Sequence, residues 1–302
     1  MDETVYAHPL HDRQAIRPLE ARSDRRGSIQ FGAHCALLLL TGSAIYVARG
    51  SIWIIGAMIL HGIALIFLFA AEHECIHRTA FRRRWLNDAV AWTAGLLILL
   101  PPAYFRYFHF AHHRHTQDAE RDPELATPKP ASLRQWLLQA SGWPYWRAEV
   151  SLLISHALGR VSAPFVPLRG RAELVTEARV FLAIYAAAAV LSVAAASDAL
   201  LIYWLIPALI GQPFLRLYLL AEHTGCALSS DMLANSRTTL TNAAVRFIAW
   251  NMPFHAEHHA FPSLPFHALP AAHRLLRDDL KVVARGYVGV QCEIVAGFAR
   301  PR

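Results

Sequence analysis

Charge is scarce in this chain of 302 residues. Asp, Glu, Lys and Arg make up 17% of it, while 55% is hydrophobic. Soluble domains carry about a quarter of their residues charged, so the composition points to a membrane protein. Cysteine is also thin. Cys35, Cys75, Cys226 and Cys292 form no CxxC pair, which excludes a disulfide framework and suits a cytosolic or in-membrane setting. There is no Gly-rich nucleotide fingerprint and no fused cytochrome-like segment. No repeats or low-complexity segments occur, and the first 28 residues hold no short apolar core with a small-residue cleavage site, so no cleavable signal peptide is expected. Acidic residues are outnumbered, for a net charge of +7 carried almost entirely by Arg. The arginines mostly flank apolar runs, as the positive-inside rule expects. No nucleic-acid fold motif accompanies them, and nucleic-acid binding is excluded.

What is present is a set of long apolar runs. A polar, Arg-rich cytosolic arm over 1–28 precedes a single domain over 29–302. Runs at about 29–48, 52–71, 178–196 and 200–220 are each about 20 residues, enough for a helix to cross a hydrocarbon core. The breaks at Arg49-Gly50 and Ser197-Asp198 are so short that the spans form two tight hairpins. A fifth run, about 89–104, is shorter and contains Pro101-Pro102, which predicts a re-entrant or interfacial helix. Trp136, Trp143, Tyr145 and Trp146 beside Arg134 and Arg147 predict a helix lying at the membrane surface. The fold class read from this is an all-α integral membrane protein. It has four transmembrane helices in two hairpins, a cytosolic helical cap, and both termini cytosolic.

The remaining abundance is histidine, with 17 in the chain. His73 and His77 form HxxxH; His109, His112 and His113 form HxxHH; His255, His258 and His259 repeat HxxHH. On a helix these spacings fall on one face, and neutral imidazole is the commonest metal ligand among side chains. Each box sits just beyond the end of an apolar run, and His223 stands similarly past the last one. Eight or nine imidazoles suffice for two metals, and imidazole suits iron, zinc, copper or nickel alike. His61 and His156 read as packing residues. His8, His11, His34, His267 and His273 read as surface or loop residues, and His115 as surface or a neighbour of the site.

Two other readings use the same residues. His73-Glu74-Cys75-Ile76-His77 fits the HExxH spacing of an intramembrane zinc protease with Glu74 as general base, but this leaves both HxxHH boxes unexplained. A metal transporter would place its ligands at mid-membrane in broken helices, whereas these boxes fall past the span ends among arginines.

The sequences HECIH, HFAHH and HAEHH, in this order and separated by paired apolar spans, resemble the membrane fatty acid desaturase superfamily, which includes carotenoid ketolases and hydroxylases. The resemblance covers roughly residues 71–270, and NMPFHAEHHAFPSLP is more similar to the bacterial desaturase branch. It implies a non-haem centre of two iron ions, held by His73, His77, His109, His112, His113, His255, His258 and His259. The family adds a further His or Asn ahead of the third box. His223 is the natural ninth ligand, with Asn251 and Asn242 as weaker alternatives. Asp118, Asp122, Glu222 and Glu257 lie beside the boxes as partners that fix imidazole tautomers.

The implied activity is oxygen-dependent introduction of a double bond into a fatty acyl or lipid chain. A hydroxylase or ketolase acting on a lipid, carotenoid or smaller amphipathic metabolite is the alternative. Partners are a lipid or acyl substrate, molecular oxygen, the membrane and a separate electron donor, ferredoxin or a cytochrome with its reductase. The implied location is the bacterial inner membrane with the site facing the cytosol.

Overall fold

The computed structural model describes residues 13–299; His8, His11 and most of the first half of the N-terminal arm lie outside them. A one-turn helix α1 (Arg13–Ile16) leads to α2 (Asp24–Val47), which Ser23 caps by accepting from the Arg26 backbone N–H at 3.3 Å. A five-residue connection over 48–52 leads to α3 (Trp53–Ile66), which packs along α2, and α4 (Leu68–Ile76) continues it after Phe67. Arg78, in the left-handed region at φ 61°, follows.

Next, α5 (Arg84–Ile98) packs on α4. Leu99 adopts φ 60° and Pro101 and Pro102 follow, so the chain bends by 99° into α6 (Pro102–His115). Proline opens α6 where its missing N–H costs nothing. The surface segment expected as one helix is two, α7 (Leu133–Ala140) and α8 (Trp143–Ala157), because Gly142 takes φ 74° between them. Then come α9 (Arg171–Ala194) and α10 (Ile206–His223).

Among the described residues four helical stretches are long and apolar enough to cross a membrane: Asp24–Val47, Trp53–Ile76, Leu168–Ala194 and Leu201–His223. All four run further at one end than the apolar runs alone predicted, starting at Asp24 and Leu168 rather than about 29 and 178, and ending at Ile76 and His223 rather than about 71 and 220. His73 and His223 sit in the last turns of their helices rather than beyond them. A helix continues through polar residues when these face a common interior, as they do here. Leu39, Leu40, Val190, Leu191 and Val193 are exposed, as lipid-facing flanks require.

Two glycines set the closest helix crossing. A Cβ on Gly62 of α3 would lie 2.1 Å from the Pro207 carbonyl oxygen, and one on Gly211 of α10 would lie 2.1 Å from the Gly62 carbonyl oxygen. Only glycine lets these backbones meet. Arg49 and Asp198, in the two short breaks, form a salt bridge of 2.8 Å that joins one end of both helix pairs.

The chain closes with short elements: α11 (Met232–Asn235), β1 (Thr238–Leu240), α12 (Ala243–Ile248), α13 (His255–Ala260), α14 (Leu269–Leu276), β2 (Val283–Arg285) and α15 (Tyr287–Gly297). The strands pair in parallel, Thr238 with Val283 through Leu240 with Arg285. This small sheet departs from a purely helical expectation. It arises because Thr238–Leu240 and Val283–Arg285 are too short and isolated to signal a strand in sequence. It ties the tail to the segment before the third box, and α15 packs on α10.

Candidate metal centre

Each box is presented by a helix end. His73 lies on α4 with His77 just after it; His109, His112 and His113 lie on α6; His223 ends α10; His255, His258 and His259 lie on α13. All are buried except His77, which is half-buried. Their rings converge from four directions into two groups.

In the first group, His73, His77, His109, His113 and His258 offer ring nitrogens that all lie within 4.8 Å of one another. Centroid separations include 4.3 Å for His73–His109 and 4.7 Å for His77–His258. In the second, His112, His223 and His259 satisfy the same 4.8 Å limit. His255 joins them, its Nε2 2.9 Å from that of His223. His113 and His259 stack at 4.2 Å and connect the groups. All nine expected histidines are therefore brought together. Asn242 caps α12, and Asn251 bonds Arg246 and the Phe266 carbonyl, so neither enters a group.

The chemistry of this donor set fits bound cations. Four Nε2–Nε2 approaches measure 2.9–3.2 Å, and His77 Nε2 and His259 Nε2 are buried without a partner. A neutral ring has one proton and one lone pair, so so many converging nitrogens cannot satisfy each other. Burial, with Arg106 nearby, pushes His77 down to about 3. Burial and then the neighbouring rings push His255, His258 and His259 well below the ordinary value. Those four rings are neutral near pH 7, the form that binds metal. At His112 burial, which alone would lower the ring, is outweighed by Glu124 and Asp122, which raise it above its ordinary value.

The carboxylates divide unequally. Asp122 Oδ1 accepts from His112 Nδ1 at 2.9 Å, and its other oxygen accepts from the Gln117 backbone N–H at 2.8 Å. Glu222 Oε1 lies 3.3 Å from His255 Nδ1. Asp118 and Glu257, expected in the same role, do other work. Asp118 folds its own turn by accepting from the backbone N–H groups of Glu120 and Arg121 and from the Arg121 side chain. Glu257 lies on the far face of α13, where it accepts from Thr238 Oγ1 and pairs with His273 Nδ1, each at 2.5 Å.

Sequence reasoning missed Glu124, whose Oε2 is 3.5 Å from His112 Nδ1 and 4.0 Å from His223 Nε2. Burial alone would raise this carboxyl, but Lys129, His112 and His223 outweigh it and hold it at about 2. Its position two residues after Asp122, in the turn opened by Pro123, was the available signal. His223 Nδ1 donates to the Asn235 carbonyl at 3.1 Å, and Thr116 Oγ1 lies 3.3 Å from His259 Nδ1. Glu74 points away and accepts from the Phe266 backbone N–H at 2.9 Å. It holds the chain after the third box and does not offer a base to the histidines.

The isolated histidines behave differently. His61 packs as expected, between Thr41 Oγ1 and the Tyr203 carbonyl, and His156 is buried against Tyr104. His34 is a correction. It is fully buried, bonded to the Ala64 carbonyl and the Trp250 indole, because α2 turns that face toward the core. His273 is likewise engaged, by Glu257. His267 lies 2.9 Å through Nδ1 from Arg26.

A cavity of about 660 Å³ opens beside the histidines. His73, His109, His112, His223 and His255 form one wall, and Phe69, Phe105, Phe108, Leu215 and Leu219 continue it in apolar side chains.

A family model described as fatty acid desaturase matches residues 50–289. Similar proteins include an endoplasmic-reticulum omega-6 fatty acid desaturase of Glycine max, 33% identical over 33% of this chain and 26% of its own length. An sn-1 oleoyl-lipid 12-desaturase of Picosynechococcus is 32% identical over 30% of this chain and 28% of its own length. One of the same description from Synechocystis is 33% identical over 28% and 26%. The matched stretches thus span under a third of the length of these relatives.

Proposed function

Because the chain belongs to the fatty acid desaturase family, we propose that it introduces a double bond into an acyl chain at a centre of two iron ions. The observation that carries this reading is the gathering of nine imidazoles into two adjoining groups beside an apolar cavity. His73, His77, His109, His113 and His258 would hold one iron. His112, His223, His255 and His259 would hold the other.

Such a pair, when bound, supplies the oxidation by dioxygen that removes two hydrogens from an unactivated C–H pair. The protein's own residues do the rest. Phe69, Phe105 and Phe108 exclude water and lay the chain along the histidine wall. Asp122, through His112, and Glu222, near His255, hold these rings with Nε2 directed inward.

Electrons come from a separate donor, ferredoxin or a cytochrome with its reductase. The topology proposed is two hairpins whose tips meet at Arg49–Asp198 on one side, with α5 and α6 as a re-entrant pair. The histidine cap lies on the other side, facing the cytosol of a bacterial inner membrane, where Arg78 and Arg82–Arg84 follow the first box. Residues 29–302 act as a single domain. Expression in a host of known lipid composition, followed by mass analysis of acyl chains, tests the reaction. A new product lighter by two hydrogens is expected; a product with one added oxygen would make the chain a hydroxylase instead.

A further inference from the structure

The cavity holds charge that the reaction above does not use. Arg216 on α10 and Glu149 on α8 both line it among Phe108, Leu152, Leu215 and Leu219, while the other charged lining residues include Glu124, which Lys129 pairs at 3.6 Å, and Glu222 beside His255. Arg216 lies near the end of the last apolar run, from where a long side chain can reach the membrane surface. Instead its guanidinium lies against the Tyr145 ring, 4.2 Å from the centroid. Among the described residues neither Arg216 nor Glu149 makes a hydrogen bond or a close ion pair, and Arg216 Nε and Glu149 Oε2 are buried without partners.

A buried guanidinium with no anion within hydrogen-bond reach is costly. Its flat edge matches a carboxylate through two parallel hydrogen bonds. Burial raises Glu149 to about 7, so near neutral pH a large share of it carries a proton that it can donate, and its negative charge is correspondingly reduced. A ligand carboxylate would therefore find one fixed cation and one donor, and a hydrocarbon or an ester would leave the cation unpaired.

We propose that the substrate of this cavity is an amphipathic acid whose free carboxylate is anchored on Arg216, with Glu149 donating beside it. This inference rests on the reading of the cavity as the acyl site and narrows its substrate class. Arg216 precedes His223 by seven residues on one helix, two turns or about 10 Å. An extended chain advances about 1.2 Å per bond, so the reacting carbon falls on the order of eight bonds from the carboxyl.

The test is equilibrium binding of radiolabelled palmitic acid and methyl palmitate to the full-length protein in detergent. The acid is expected to bind at least about tenfold more tightly than the ester. Arg216→Gln should abolish the preference and Arg216→Lys should keep part of it. Glu149→Gln, whose amide still donates, should retain it. Equal binding of acid and ester, no binding of either, or an undiminished preference in Arg216→Gln would overturn the proposal. The acid–ester comparison uses the unaltered protein, so a variant that fails to fold does not spare the proposal. Desaturated products with no acid preference would sink this inference alone. An acid preference held by Arg216 with no desaturated product would sink the desaturase reading alone.

Discussion

The two histidine groups share ligand chemistry and differ in what stands behind the ligands. Around His112, His223 and His255 there are three carboxylates, Asp122, Glu124 and Glu222, within 2.9–4.0 Å of a ring nitrogen. Around His73, His77, His109, His113 and His258 no carboxylate touches a ring among the described residues. His73, His113 and His258 leave Nδ1 buried and unpaired. In the first of these sets His112 and His223 are oriented by Nδ1 hydrogen bonds that also enrich the basicity of the rings, while His255 Nδ1 is buried near Glu222 without one. The second is oriented by packing alone, ring against ring and against Phe69 and Phe105. The two metals would therefore sit in unlike fields, the acid-backed one bound more tightly and carrying less net positive charge.

The largest effects should ignore this difference. Replacing His77, His112 or His258 by Ala removes a ligand from one group or the other, and turnover should be abolished while membrane insertion is kept. Near-normal product formation in any of the three would remove that residue from the ligand set.

Asp122→Asn should separate the groups. A lost carboxylate partner typically costs roughly 10–100-fold in metal affinity or activity, and here the loss should fall on one metal. Titrating the purified variant with a chelator should release one iron early and the second as in the unaltered protein. Simultaneous release of both would show that the groups do not act separately.

Acid should strip the metal-free protein of stability in a defined window. The folded His77 is held at about 3, well below an ordinary imidazole at about 6.5. The unfolded chain binds protons first, so stability present above about pH 6.5 is lost progressively as pH falls toward 3. Thermal unfolding of the stripped protein across this range should show a falling midpoint, and His77→Ala should flatten the slope.

Outside the centre, Gly62→Val should weaken the α3–α10 crossing by roughly 1–3 kcal/mol, the usual cost of overpacking, seen as a lower melting temperature in detergent with bound iron retained. His61→Ala should have the smallest effect, a loss of stability with activity preserved.

How much of this could be read from the sequence depends on whether the information is local. The boxes were legible because helix geometry converts their spacing directly into a shared face. The spans were legible because hydrophobic length is a local property. Their ends were not, since hydropathy stops at the first polar residue while the helix runs on to His73 and His223. Leu99 gave no sign that it would take φ 60° at the sharp bend, although the following prolines marked the place. Asp118 and Asp122 looked alike in the sequence, and only the turn between them decides that one binds Arg121 and the other His112. His34 was misread, and the burial of Arg216 was not foreseen, for a common reason. Each lies in an apolar run whose inward side is set by distant helices, and burial of a polar group there depends on partners such as Trp250 and Tyr145.

The central claim is that nine histidines form a site for two metals, and metal content per chain tests it most directly. Elemental analysis of the full-length protein, purified in detergent from iron-supplemented cells, should find about two irons per chain, with a reduced count in His77→Ala and in His112→Ala. A single zinc per chain that persists in iron-rich medium, lost in His77→Ala and unaffected in His112→Ala, would contradict the two-metal account.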